Sequence, residues 1–230
     1  LKKIKNMENI NGNIKLNNSE YLLSLDVSTS CIGIALFEDL GTKGDLKLLH
    51  HVSPKVKPQP ENKMEELFKK VEIFQTEFLN KYADFGITKV IIEEPLLQSN
   101  NVYTIATLLR FNGMISKSVF DTIGVVPDFI SSYDARKYAF PELMAVRKFK
   151  KDGTPLAEKQ IAKNTPVLFG GYDFEIDKKY VLWEKVAELE PQVSWFYDKN
   201  NKLKKETFDT SDAYVAARGY MVKSGLWKVS

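Results

Sequence analysis

Asp209 and Asp212 stand three residues apart in Phe208-Asp-Thr-Ser-Asp-Ala-Tyr-Val-Ala-Ala-Arg, the segment expected to begin the last amphipathic helix. Helical geometry places positions i and i+3 on one face, so both carboxylates are expected at one spot. Two negative charges held close together are unfavourable unless a cation lies between them. Asp26 closes the apolar run Tyr21-Leu-Leu-Ser-Leu-Asp and Glu93 closes Val90-Ile-Ile-Glu, so two strands are each expected to end on a carboxylate. Four acids from three distant segments predict a divalent-metal site. Mg2+ or Mn2+ would be held mostly by carboxylate oxygens, water and a substrate phosphate. A pair of such ions serves the attacking and leaving oxygens of an in-line phosphoryl displacement. That chemistry needs several acids, no cysteine and no obligatory histidine, which is the inventory here.

Each acid also has a purely structural reading. Asp209 could be a helix N-cap, and Asp212 a first-turn residue favoured by the macrodipole. Asp26 is harder to explain that way, because a carboxylate at the end of an apolar central strand is costly to bury without a partner. Glu93 and Glu94 follow the same apolar run, and strand alternation sends them to opposite faces. Glu93 is the choice for the site, with Glu94 in reserve.

The elements that must position these acids follow from periodicity. Residues 1–19 show no useful apolar period and are expected to be a flexible tail. Tyr21–Val27, Ile32–Glu38 and Leu46–Val52 read as three strands with short connections, hence an antiparallel meander. Met64, Leu67, Phe68, Val71, Phe74, Phe78 and Leu79 recur at helical spacing between Glu61 and Tyr82. A strand over Lys89–Glu93, a helix over about 101–121 and a strand over Val125–Ile130 form a crossover unit, which turns the sheet parallel. The fold class expected is therefore α/β, a mixed sheet flanked by helices. From about 141 to 176 the pattern weakens into turn signals and a basic run, read as an insertion with a short helix near 157–162. Helical spacing returns at Tyr180–Leu189; Val193–Tyr197 and Lys202–Phe208 could pair as a hairpin, and the closing helix is expected from Thr210 to Lys223.

Composition sets bounds on function. The chain has 230 residues and a net charge of only +3, so nucleic-acid binding would rest on where charge lies rather than on overall basicity. The single cysteine, Cys31, excludes an intramolecular disulfide and agrees with a reducing compartment. No run is apolar enough for a membrane span, and the polar start lacks a signal-peptide core. The expectation is an intracellular protein with no membrane partner.

Three stretches resemble the motifs of RuvC-like nucleases in the ribonuclease H-like superfamily. They are Leu25-Asp-Val-Ser-Thr-Ser-Cys-Ile-Gly-Ile-Ala-Leu, Val90-Ile-Ile-Glu-Glu-Pro and Asp209-Thr-Ser-Asp-Ala-Tyr-Val-Ala-Ala, in the family's order. Tyr103–Ser118 looks like its helix after the glutamate, and Tyr133-Asp-Ala-Arg-Lys like the segment after its fifth strand. The resemblance covers most of 21–139 and 177–224. It implies one ribonuclease H-like domain over 20–230, acting as a metal-dependent endonuclease on branched DNA, typically a homodimer that resolves four-way junctions by paired nicks. By motif, the metal-binding and catalytic acids are Asp26, Glu93, Asp209 and Asp212, holding two Mg2+ or Mn2+ ions. Val27-Ser28 replaces the family's frequent Pro-Gly, Leu96 stands where bacterial enzymes have an aromatic residue, and 140–176 has no counterpart. These departures fit a divergent branch such as those carried by phages. The compartment implied is the cytoplasm of a bacterial or phage-infected cell, with an organelle as the alternative.

Phosphate contacts are sought among Arg136 and Lys137, beside the strand bordering the site, then Arg147, Lys148, Lys150 and Lys151, and above all Lys202, Lys204 and Lys205, just before Asp209. Tyr103 and Phe111 could stack on bases, though aromatics at helical spacing belong more often to a core. His50 and His51, adjacent on a strand, point opposite ways and make a poor metal pair. Cys31 reads as a buried structural thiol. Other ribonuclease H-like nucleases, acting on flaps, forks or RNA-containing duplexes, are the nearest alternative. A binding module that keeps the fold without catalysis would be expected to lack an acid. An actin-like or sugar-kinase ATPase shares the Asp-x-Ser-Thr-Ser loop but needs a second domain with glycine-rich adenosine contacts.

Overall fold

A computed structural model describes residues 20–38, 44–95 and 101–227. The predicted flexible tail, most of the β2–β3 turn and Leu96 lie outside the described residues. Strands β1 (Tyr21–Val27), β2 (Ile32–Glu38) and β3 (Asp45–Val52) form the antiparallel meander expected from their alternation. Strands β4 (Ile87–Glu93) and β5 (Asp128–Ile130) then add in parallel, giving the order β3-β2-β1-β4-β5. The sheet is thus mixed, antiparallel on one side of β1 and parallel on the other.

Helix α1 (Lys63–Phe74) starts at Asn62, whose side chain accepts from the Met64 and Glu65 N–H groups. It runs through a π-helical turn, Gln75–Leu79, into α2 (Asn80–Tyr82). Helix α3 (Val102–Ile123) is capped by Asn101 and ends at Gly124, whose φ of 81° permits the left-handed turn. Pro127 supplies no N–H to a ladder, and β5 begins only after it, three residues later than the apolar run suggests. Helices α4 (Ser132–Ala139), α5 (Glu158–Ile161), α6 (Lys178–Leu189) and α7 (Lys205–Lys223) complete the set.

Strand alternation splits the core in two. Leu23, Leu25, Val90 and Ile92 face Phe74, Phe78, Phe111 and Ile115 from the first helices and α3. Leu22, Ile91 and Ile130 face the other way, onto α4, α6 and α7 through Ala135, Leu182, Val186, Tyr214 and Ala217. Among the described residues no helix is long and apolar enough to cross a membrane.

Three expectations change. Helix α7 begins at Lys205 rather than Thr210, and the proposed hairpin shrinks to one bridge, Tyr197 to Leu203, because the helix takes the residues of its return arm. Nor is α7 amphipathic: twelve of its residues between Thr207 and Met221 are buried, on all sides, since it lies against the sheet, α4 and α6 together. Small residues allow this, and its polar ones bond internally: the Thr210 hydroxyl donates to the Thr207 carbonyl (2.8 Å) and Ser211 to the same carbonyl (2.9 Å).

The 141–176 segment contains a separate antiparallel pair, β6 (Met144–Val146) with β7 (Pro166–Leu168). Phe169 and Leu143 anchor it in the α7-side core.

Candidate active site

Asp26 and Glu93 meet because of register. Leu25 pairs with Ile92 in the parallel β1–β4 ladder, so the next residues, Asp26 and Glu93, stand side by side at the carboxyl ends of adjacent strands. Alternation aims both toward α7, since Leu22 and Ile91, each an even number of residues back, lie in that core. Glu94 takes the other face, is exposed, and donates its N–H to the Ile130 carbonyl (2.9 Å).

Asp209 and Asp212 complete the cluster from α7, and both are 96 % shielded from solvent, each 4 % exposed. Neither caps the helix, whose cap is Lys204. They lie beyond the first turn, so capping does not account for them. The helix reaches the strand ends because Gly33, the β2 partner of Asp26, has no side chain: a Cβ there would lie 2.0 Å from the Asp209 carbonyl oxygen.

The four carboxylates repel one another. Burial, then Glu93, Asp212 and Asp209, push the Asp26 carboxyl well above its ordinary value. Burial and Asp212 raise Glu93 to about 8, against the pull of Arg136 and Lys179. Burial also raises Asp209, opposed by the Cys31 thiol and by Lys179 and Lys205.

Compensation comes from cations on three elements. Lys179 on α6 places its ammonium 3.1 Å from Asp212 Oδ2 and 3.8 Å from Asp209 Oδ1. Arg136 on α4 approaches Asp212 Oδ1 at 3.8 Å. Lys205 reaches the Ser30 hydroxyl in the β1–β2 turn (3.3 Å). Asp209 Oδ2 and Arg136 Nε nevertheless remain buried with no hydrogen-bond partner.

Nothing in the sequence marks Lys179 as a member of the site. A lysine in the first turn of a helix looks like an ordinary solvated residue, and the only local signal is the Asp177 cap that fixes where α6 begins.

The expected phosphate contacts divide. Arg136 and Lys205 lie at the acid cluster, whereas Lys137 lies over the Tyr133 and Tyr138 rings. Lys202 and Lys204 are exposed on the chain leading into α7. Phe111 is core, and Tyr103, 86 % exposed, is free of it. Cys31 is buried against Asp209, which together with burial raises its thiol far above the ordinary range. His51 packs edge-on against the Phe196 ring, with centroids 4.6 Å apart.

Asp26, Glu93, Asp209 and Asp212 offer only hard oxygen donors, the set suited to Mg2+ or Mn2+. Among the described residues no three His, Cys, Asp or Glu side chains stand close enough together to hold one ion as they lie. The orphaned Asp209 oxygen and the raised proton affinity of Asp26 and Glu93 are what under-compensated metal ligands present. The residues therefore fit such an ion.

A central mixed sheet with acids at the ends of two adjacent strands and on the helix covering them defines the ribonuclease H-like class of α/β folds. Within that class the chain has the fold of RuvC. Thermus thermophilus RuvC in complex with a Holliday junction substrate aligns over 90 % of this chain and 95 % of its own, with a TM-score of 0.51 and 11 % identity. A second structure of Thermus thermophilus RuvC covers 89 % and 95 % (TM-score 0.49, 14 % identity), and the yeast mitochondrial Holliday junction resolvase Ydc2 covers 89 % and 79 % (0.48, 10 %). No family model and no curated protein matches the sequence.

Proposed function

We propose that this chain is a divalent-metal-dependent endonuclease that cuts branched DNA, with the four-way junction as substrate, acting as a homodimer that makes paired nicks. The observation that carries the reading is the convergence of Asp26, Glu93, Asp209 and Asp212 from β1, β4 and α7 with incomplete internal compensation. The shared fold with RuvC, which has been solved on a Holliday junction, supports the choice of substrate. We assign residues 20–230 to a single nuclease domain, with 141–176 as an elaboration anchored by Phe169 and Leu143.

Asp26, Glu93, Asp209 and Asp212 would hold two Mg2+ or Mn2+ ions, which when bound supply a nucleophilic water and charge stabilisation of the leaving oxygen. The rest falls to the protein. The β1–β4 register fixes the spacing of Asp26 and Glu93, and the Gly33 contact fixes the depth at which α7 delivers the other two. Arg136, half-buried at the site edge, is placed to orient a phosphate oxygen, and Lys205, Lys204 and Lys202 line the approach as backbone contacts.

The test is cleavage of a synthetic four-way junction in Mg2+ or Mn2+, beside flaps, forks, linear duplex and RNA–DNA hybrid. Asp26→Asn and Asp212→Asn are expected to bind the junction and to cut it at least about a hundredfold more slowly, the loss of several kcal/mol of charge stabilisation. Undiminished cutting by either variant removes the assignment; preferential cutting of another substrate moves it within the same chemistry.

A further inference from the structure

Lys179 enters the acid cluster from α6, an element that contributes none of the four acids. Its ammonium lies within 4 Å of both α7 carboxylates, 3.1 Å from Asp212 and 3.8 Å from Asp209, where a hard cation would take its oxygens. Two features make this more than an ordinary ion pair. The Lys179 side chain is 49 % exposed while its partners are 5 % and 6 % exposed, so a flexible stem leads from solvent to a buried pair. The neutralisation is also partial: Lys179, with Arg136 and Lys205 beside it, faces four carboxylates, and Asp209 Oδ2 is buried without a partner. A single positive charge does here part of what a doubly charged ion would do more fully.

We propose that Lys179 is a tethered stand-in for the metal, holding Asp209 and Asp212 together in the metal-free protein and leaving the pair when a divalent ion binds. The inference rests on the metal-site reading under the proposed function and adds an internal competitor to it. A site whose binding-competent arrangement is only partly populated shows an affinity reduced by that fraction. Lys179 therefore weakens metal binding, and its withdrawal returns a cation to solvent at the mouth of the site. A lysine needed only for packing would have the opposite effect, since its loss would loosen the ligands.

The full chain, stripped of metal by a chelator and dialysed, is titrated with Mn2+ by calorimetry as wild type and as Lys179→Met. The variant keeps most of the apolar stem and removes the charge. It is expected to bind Mn2+ at least about tenfold more tightly, because a unit charge this close to the ligands opposes the ion directly. Its metal-free unfolding temperature is expected below that of wild type, and saturating Mn2+ to raise it by more than it raises wild type. Lys179→Gln, uncharged but able to donate to Asp212, gives the same comparison if the methionine variant does not fold. Equal or weaker Mn2+ binding in the variants, with wild type binding, overturns the proposal and leaves the metal site standing. Absence of Mn2+ binding to wild type and variants alike overturns the metal-site reading and this inference with it.

Discussion

Asp26 and Glu93 differ from the other two acids in how they are balanced. Ion pairs within 4 Å among the described residues reach Asp209 and Asp212 but not the strand-end pair. Their unusual character was legible in the sequence, because an acid closing an apolar strand has no cheap structural explanation. Lys179 was not legible, because its placement depends on how α6 packs on α7, a relation between residues 30 and 33 positions apart. The electrostatic consequence can be measured without substrate. Glu93 is raised from 4.5 to about 8, and Asp26 is raised with it, so the folded protein binds more protons than the unfolded chain across that interval. Stability is then full below the unfolded value and is lost as pH rises through the folded one. In chelator, the unfolding temperature is expected to fall as pH goes from about 4.5 to about 8, and Glu93→Gln to flatten the decline. Thermal unfolding at a series of pH values checks this, and a temperature that rises over the same window contradicts it.

At the scale of elements, period-two and period-3.6 patterns gave most boundaries to within a few residues: β1 and β2 match, and α3 is found one residue inside its expected start. The failures lie at the start of α7 and in the hairpin before it, where the chain could pair as strand or coil as helix. Burial decides for the helix, since α7 fills the space between the sheet, α4 and α6. That choice depends on backbone proximity at Gly33, where any Cβ meets Asp209 backbone atoms at 2.0–2.4 Å. Gly33→Ala is expected to lower stability by about 1–3 kcal/mol through overpacking and to displace the helix that carries both aspartates. Gly113, in the middle of α3, gives the contrast: a Cβ there has no neighbour within 4 Å. Gly113→Ala is expected to raise stability by about 0.5–1 kcal/mol, through helix propensity alone. Denaturant unfolding of both variants separates the cases, and a harmless Gly33→Ala would mean that α7 can dock at another depth.

For the whole molecule, a net charge of +3 gives no general attraction to nucleic acid, so the junction binding proposed above would have to come from how the cations are distributed over two different sides of the sheet. Lys202, Lys204 and Lys205 are exposed at the entry to α7, and Lys205 stands beside the acid cluster, reaching Ser30 and acting on Asp209. Lys117 lies on α3, which packs on the opposite sheet face, and is paired with Asp121 at 2.5 Å. If junction DNA is bound over the acids, each lysine that neutralises a phosphate releases counterions, and the logarithm of affinity falls with the logarithm of salt by about 0.9 per contact. Replacing Lys204 and Lys205 by alanine is therefore expected to weaken junction binding at low salt and to reduce the salt slope by about two. Lys117→Ala should leave both the affinity and the slope unchanged. Gel-shift titrations of a four-way junction over a range of salt concentrations, in chelator so that nothing is cut, measure all three proteins. An unaltered slope in the double variant would place the DNA elsewhere on the surface, and a reduced slope in Lys117→Ala would place it across the α1–α3 face.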